Sequence, residues 1–169
     1  GELLFADYGL SGIAVMQLSS FVARHFRNGK SLPTVECDFV AEMGFEELTD
    51  CVGKICRYNK KLTADNLLTG FMPKKLGENI IKSVGVPLNK TVAELKNKEI
   101  SDIAKACKSF SFEISTLRPF DDAQVTSGGA DIREFDSKTL ESKRAKNLYC
   151  CGELLDVDGP CGGYNLLWA

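Results

Sequence analysis

The 169-residue sequence holds a single histidine, His25, and a single tryptophan, Trp168. It has no run of 18 apolar residues, so no membrane-spanning helix is expected. Its first residues lack the charged-then-apolar order of a secretory signal. Net charge is low as well, −2 with 26% charged residues of both signs mixed along the chain. A basic face for phosphate contacts is therefore not expected, and neither nucleic acid nor membrane is an expected partner. No CxxC pair occurs, and with one histidine a structural zinc site is not expected; the metal expectation is none. The seven cysteines (Cys37, Cys51, Cys56, Cys107, Cys150, Cys151 and Cys161) are odd in number and irregularly spaced. That argues against a secreted disulfide framework and for a reducing cytoplasm. The adjacent Cys150 and Cys151 read as small side chains alternating across a buried strand, with a redox pair as the alternative.

What is present suffices for one ordinary domain or two small ones, since 44% of residues are apolar. Both ends read as cut: Gly1 leads straight into Leu3-Leu4-Phe5, and the chain stops at Leu166-Leu167-Trp168-Ala169 without a cap. Glu2 to Phe5 reads as a strand, and Gly9-Leu10-Ser11-Gly12 as a turn. From Ile13 to Phe26 the positions Val15, Leu18, Val22 and Phe26 fall near helical spacing, with Asn28-Gly29 as a stop. Arg24, His25 and Arg27 lie in the last turn, where cations suit the helix dipole. Pro33 to Val40 is a candidate strand.

The middle is helical. Phe45, Leu48, Val52, Ile55 and Cys56 make one apolar stripe, and Thr63 caps a short helix through Leu68. Pro73 opens another helix, with Leu76, Ile80, Ile81 and Val84 on its face and Gly85 at its end. Thr91-Val92-Ala93-Glu94 fits a capping box, and Ile100, Ile103, Ala104, Cys107 and Phe110 mark a further amphipathic helix. The period then changes: Phe110, Phe112, Ile114 and Thr116 alternate with polar residues, as in a half-buried antiparallel strand. Ser127-Gly128-Gly129 turns, and Leu148-Tyr149-Cys150-Cys151 reads as a short buried strand ending at Gly152.

The densest chemical signal runs from Gly152 to Asn165. At Gly152 a backbone can approach a ligand closely. Glu153 offers a carboxylate to hydroxyl donors, and Asp158 lies five residues on. Gly162-Gly163 then leads into a helix start at Tyr164-Asn165, whose free amides favour an electron-rich group. Taken alone, the same string also fits an ordinary glycine-rich turn joining strand to helix.

The run from Tyr149 through Gly159, followed by Gly162-Gly163-Tyr164-Asn165, resembles the closing signature of a bacterial FAD-dependent oxidoreductase family. That family includes aminoacetone-oxidase-like and dehydro-bile-acid-reductase-like flavoproteins. Gly1 to Phe5 with Gly9 to Gly12 resembles its strand–turn–helix entry, although Ile13 stands where a proline is common. Val125-Thr126-Ser127-Gly128-Gly129 resembles its Thr-x-Gly-Gly turn, and Lys138 to Lys143 the segment before its last strand.

The resemblance implies an α+β chain. A small antiparallel β domain (1–40 and 109–135) is interrupted by a helical insert (41–108). Residues 136–169 then form the C-terminal return of a glutathione-reductase-type FAD domain. It further implies that Gly152, Glu153, Gly162, Gly163, Tyr164 and Asn165 face FAD, with Asp158, Thr126, Gly128 and Gly129 approaching the cofactor or substrate. The expected function is hydride transfer between a small-molecule substrate, FAD and an acceptor, oxygen or NAD(P), with no catalytic acid or base nominated. No GxGxxG occurs, so these 169 residues by themselves are expected to hold no FAD tightly and to be inactive. A dimer through the apolar Leu148, Tyr149, Leu166 and Trp168 is a further expectation. The alternative function is a stand-alone protein-interaction module.

Overall fold

The computed structural model describes residues 2–27, 31 and 33–169. The chain is α+β, as its changing periodicity implies, and divides into two compact units: 34–114, and 1–33 with 115–169.

In the 34–114 unit, strands β3 (Thr34–Cys37) and β4 (Phe110–Glu113) pair antiparallel, from Thr34 opposite Glu113 to Cys37 opposite Phe110. The ribbon brackets helices α2 (Phe45–Tyr58), α3 (Lys74–Ser83) and α4 (Asn97–Lys108). Leu48, Val52 and Cys56 recur every four residues on α2, so they share one face and are buried. They meet Ile80 and Ile81 of α3 and Ile103 and Cys107 of α4, all fully buried. Each such aliphatic side chain contributes about 1.5–3 kcal/mol by leaving water. Glu46 and Glu47 occupy the first turn of α2, where the helix dipole favours acids. Pro73 precedes α3 as expected. Gly77 on α3 lets that helix lie close to Leu68, whose Cβ would stand 3.0 Å from an added Cβ. Lys108, at the end of α4, donates to the carbonyls of Val40 (2.9 Å) and Met43 (2.6 Å) and pairs with Asp38. This lysine locks the helix end to the segment that leads from β3 to α2.

Two of the expected helix starts are tighter than a full α-helix. Thr63 precedes a single 3₁₀ turn, Ala64–Asn66, rather than a helix to Leu68. The Thr91–Glu94 capping box is present, with the Thr91 amide donating to Glu94 Oε2 at 3.3 Å, but it also caps a single turn.

The other unit opens with a hairpin, β1 (Leu4–Ala6) and β2 (Gly9–Ser11), pairing Leu4 with Ser11. Gly9 to Ser11, expected as a turn, is thus the second strand, and the reversal falls at Asp7-Tyr8. Helix α1 (Ile13–Arg27) follows as its spacing predicts; the stop expected at Asn28-Gly29 lies outside the described residues, as does Gly1. From Ser115 onward this unit is mostly irregular, with 3₁₀ turns at Phe120–Asp122, Ile132–Glu134 and Gly152–Leu154 and a last short helix, α5 (Tyr164–Trp168). Its buried apolar residues among those described are Val22 and Leu155, so polar and backbone contacts carry much of its order.

Two strand expectations are corrected. The alternating run ends at Glu113, because β3 offers only four residues and its pairing stops opposite Thr34. Leu148 to Cys151 is not a buried strand: Leu148 and Tyr149 are 53% and 59% exposed, and the segment makes only an isolated bridge, Glu141 to Tyr149. A short apolar run is buried on both faces only when sheet neighbours flank it.

Candidate functional site

Within the second unit, Ser127 to Ala130 is laid along Leu154 to Asp158. Ala130 and Leu155 form a parallel bridge, closed by the Ala130 amide on the Leu154 carbonyl (2.8 Å) and the Asp156 amide on the Ala130 carbonyl (2.9 Å). The approach is so close that Gly129 must be glycine. An added Cβ there would lie 2.6 Å from the Leu154 carbonyl oxygen and 3.0 Å from the Asp156 nitrogen, and φ is +153°. Its neighbour Gly128 faces open space, since a Cβ would meet nothing within 4 Å.

Side chains reinforce this joint. The Thr126 amide donates to Glu153 Oε1 at 3.4 Å, and the Ser127 hydroxyl donates to Asp158 Oδ2 at 3.1 Å. Arg24, on α1, donates through Nη2 to the same Asp158 oxygen at 2.5 Å. Asn165 closes the following loop: the Gly159 amide donates to its Oδ1 (2.7 Å), and its Nδ2 donates to the Gly159 carbonyl (3.1 Å). That closure places Gly162, Gly163 and Tyr164 in a loop beginning one residue after Asp158. Gly163 starts α5 with φ +91° and, like Gly128, presents open space where a side chain would stand. Tyr164 is exposed. Gly152 sits instead against Ala169, whose carbonyl oxygen would lie 3.5 Å from an added Cβ.

The structure therefore gathers Thr126, Gly129, Glu153 and Asp158 around one backbone joint, and binds Asn165 to Gly159 beside it. It adds three participants that the sequence did not single out. Ser127 and Gly159 stand inside the glycine-rich motifs, whose pattern alone gives them no role. Arg24 read only as a dipole cation, because no local pattern links it to a partner 134 residues away. His25 lies in the same helix, half-buried.

Just beyond the joint, Asp131 is pushed down to about 2 by the Arg133 side chain and backbone amide, which together favour its charged form. Cys150 is half-buried, Cys151 exposed and Cys161 half-buried; all are free thiols. Among the described residues no group of three His, Cys, Asp or Glu side chains could hold a metal ion, and no helix is long and apolar enough to cross a membrane. The helical unit carries its own open groove of about 650 Å³ between α2 and α4, rimmed by Asp50, Arg57, Lys60 and Asn97; none of the candidate residues lines it.

Comparison with known proteins shows what the chain is similar to. Residues 1–125 match the family described as HI0933-like protein barrel and H2TH domain. The whole chain is 38% identical over 169 residues to a 3-dehydro-bile acid delta(4,6)-reductase of Clostridium scindens, of which it covers 41%. It is 30% identical over 168 residues to a ribosomal RNA dihydrouridine synthase of Haemophilus influenzae, covering 39% of that protein. A ribosomal RNA dihydrouridine synthase of Escherichia coli is 30% identical over 170 residues. The chain thus spans about two fifths of the length of these curated relatives. With its opening hairpin, its helical unit and its glycine-rich closing segment all inside these matches, the chain belongs to the HI0933-like family, of the FAD-dependent oxidoreductase type.

Proposed function

We propose that this chain forms one wall of the flavin and substrate site of a flavoprotein oxidoreductase that adds hydrogen across a carbon–carbon double bond conjugated to a carbonyl. The observation that carries the reading is the joint of Thr126–Ala130 on Glu153–Asp158, because it assembles the glycine-rich signature into one structural unit. The names of the relatives support the reaction type. A delta(4,6)-reductase and a dihydrouridine synthase both convert an unsaturated carbon pair to its dihydro form.

The residues fit FAD in two respects. The backbone at Gly128 and at Gly163 is open to an approaching group, with no Cβ and no neighbour in the way. Glu153 uses one carboxylate oxygen on the Thr126 amide and retains the other to accept from a hydroxyl. Glu153 would hold the sugar-like chain of the cofactor, whereas Gly152 is already covered by Ala169. The amides of Tyr164 and Asn165, in the first turn of α5, have no intrahelical acceptor and would donate to an electron-rich ring edge. Donors fixed in advance stabilise developing negative charge without reorganising during the reaction. Bound FAD would supply a two-electron carrier that takes hydride from NAD(P)H and passes it to the organic substrate. The three-part domain organisation (1–40 with 109–135, 41–108, and 136–169) and cytoplasmic location belong to the same proposal. So does weak FAD affinity of these 169 residues alone, for want of a pyrophosphate-binding GxGxxG.

The test uses the full-length protein reconstituted with FAD, reduced by NAD(P)H without oxygen, then offered a conjugated steroid enone or uridine-containing ribosomal RNA. Reoxidation of the flavin by the enone supports the reading. Reoxidation by RNA alone moves the substrate class to uridine, and a protein that takes up no flavin overturns the reading.

The same unit exposes Leu148, Tyr149, Leu166 and Trp168, the last two at 82% and 48%. We assign this surface to contact with a second polypeptide, a second copy included. Sedimentation that shows a monomer, unchanged by substituting Leu166 and Trp168 with serine, removes the dimer.

A further inference from the structure

Asp158 is where three separate parts of the chain meet. Its Oδ2 accepts from Arg24 on α1 and from Ser127 in the glycine turn, and its next residue, Gly159, is held at both backbone groups by Asn165. The Asp158 side chain is 22% exposed, while that of Arg24 is 56% exposed. A hydroxyl or amide at position 158 could hold Ser127 equally well. What only a carboxylate brings is a full negative charge, one residue from the loop that carries Gly162 to Asn165.

We propose that Arg24 is an electrostatic positioning residue for the flavin: it neutralises Asp158, so that the turn is held by a strong acceptor without a net negative charge beside the cofactor. The inference rests on the flavin reading above. Reduction adds two electrons and one proton to the ring system and leaves it with one more negative charge. An unpaired carboxylate nearby opposes that change, by Coulomb repulsion that the low-dielectric surroundings of a bound cofactor strengthen. With the guanidinium 2.5 Å away, carboxylate and cation act together as a short dipole whose field falls off quickly. Charge-assisted bonds of this kind are also stronger than neutral ones, so the same contact anchors the Ser127 turn.

A simple clamp and a charge compensator differ in the sign of their effects. The experiment is anaerobic dithionite titration of the full-length flavoprotein against a reference dye, in wild type, R24M, D158N, the double variant and R24K. Charge compensation expects R24M to make flavin reduction about tenfold harder, roughly 30 mV lower for a two-electron couple. D158N shifts the potential upward, the double variant returns close to wild type, and R24K, which keeps the charge, stays close to wild type as well. If R24M and D158N shift it in the same direction, the contact is only a clamp and the proposal is overturned. An unchanged potential in a folded R24M also overturns it. Should R24M not fold, the D158N and R24K results decide: a D158N potential that does not rise, or an R24K potential that falls like a lost charge, overturns the proposal. Failure of the flavin reading itself is seen separately, as a wild-type protein that binds no FAD.

Discussion

Gly129→Ala tests the joint on which the functional reading stands. The added Cβ would meet the Leu154 carbonyl oxygen at 2.6 Å, and the Asp156 nitrogen and Leu155 carbonyl carbon at 3.0 Å. All three are backbone atoms, so no side-chain rotation relieves the overlap. Relief requires separating the strands, which breaks the bonds of the Ala130 amide (2.8 Å) and the Asp156 amide (2.9 Å). Two backbone hydrogen bonds are worth about 1 kcal/mol each, and a non-glycine residue at this φ costs about 1–3 kcal/mol. The total is about 3–5 kcal/mol of local stability. Gly128→Ala has the same kind of backbone cost, at φ +106°, but no overlap, and is expected to lose about 1–3 kcal/mol. Amide hydrogen exchange read at Ala130 and Asp156 is the assay, since each factor of ten in protection is about 1.4 kcal/mol. Loss of protection by about 100-fold or more at both amides in G129A, with a smaller loss in G128A, is the expected result. Equal protection in G129A and wild type, or a larger loss in G128A, would refute the close approach.

Ile103→Ala, in the fully buried core of the helical unit, is expected to lower its unfolding free energy by about 2–5 kcal/mol. Phe45→Ala, at a 42% exposed position, should cost far less; equal losses by urea unfolding would contradict the core assignment. Asp131 is held at about 2, so its folded pKa is depressed. The stability it adds is complete above its ordinary value near 4, and is lost as pH falls from there toward 2. An NMR titration of its carboxyl should show this midpoint, and Arg133→Gln should raise it; an unchanged midpoint in that variant removes Arg133 as the cause. Burial, helped by the Asp38 charge, pushes the Cys107 thiol up to about 12. At pH 8 an aromatic disulfide reagent should label the exposed Cys151 in the native protein and reach Cys107 only after unfolding. Labelling of both at one rate would count against the burial of Cys107.

The three α-helices of the helical unit were legible in the sequence, because each is specified by contacts three and four residues apart. The turns after Thr63 and Thr91, by contrast, read as longer helices than they are. Leu48, Val52 and Cys56 announce a buried face wherever they pack, and Pro73 and Gly85 mark ends by backbone chemistry alone. Strands were read less well. Alternation in Phe110 to Thr116 says which face is apolar, but strand length is set by a partner 73 to 79 residues away, and β3 offers four residues. The apolar Leu148 to Cys151 reads as a strand core by composition, yet its burial depends on neighbours that composition does not specify.

The functional segment divides along the same line. The glycine-rich string, its carboxylates and its family likeness were all determined by the sequence, since close backbone approach demands glycine at Gly129 whatever lies opposite. What lies opposite was decided only by tertiary structure. The parallel bridge to Leu155, the Thr126 amide on Glu153 and the pairing of Arg24 with Asp158 join residues 25, 27 and 134 positions apart. Local propensities act over a few residues, whereas such contacts form only once the whole unit closes and brings distant charges within bonding distance. The sequence thus specified which chemical groups are present, and folding selected their partners.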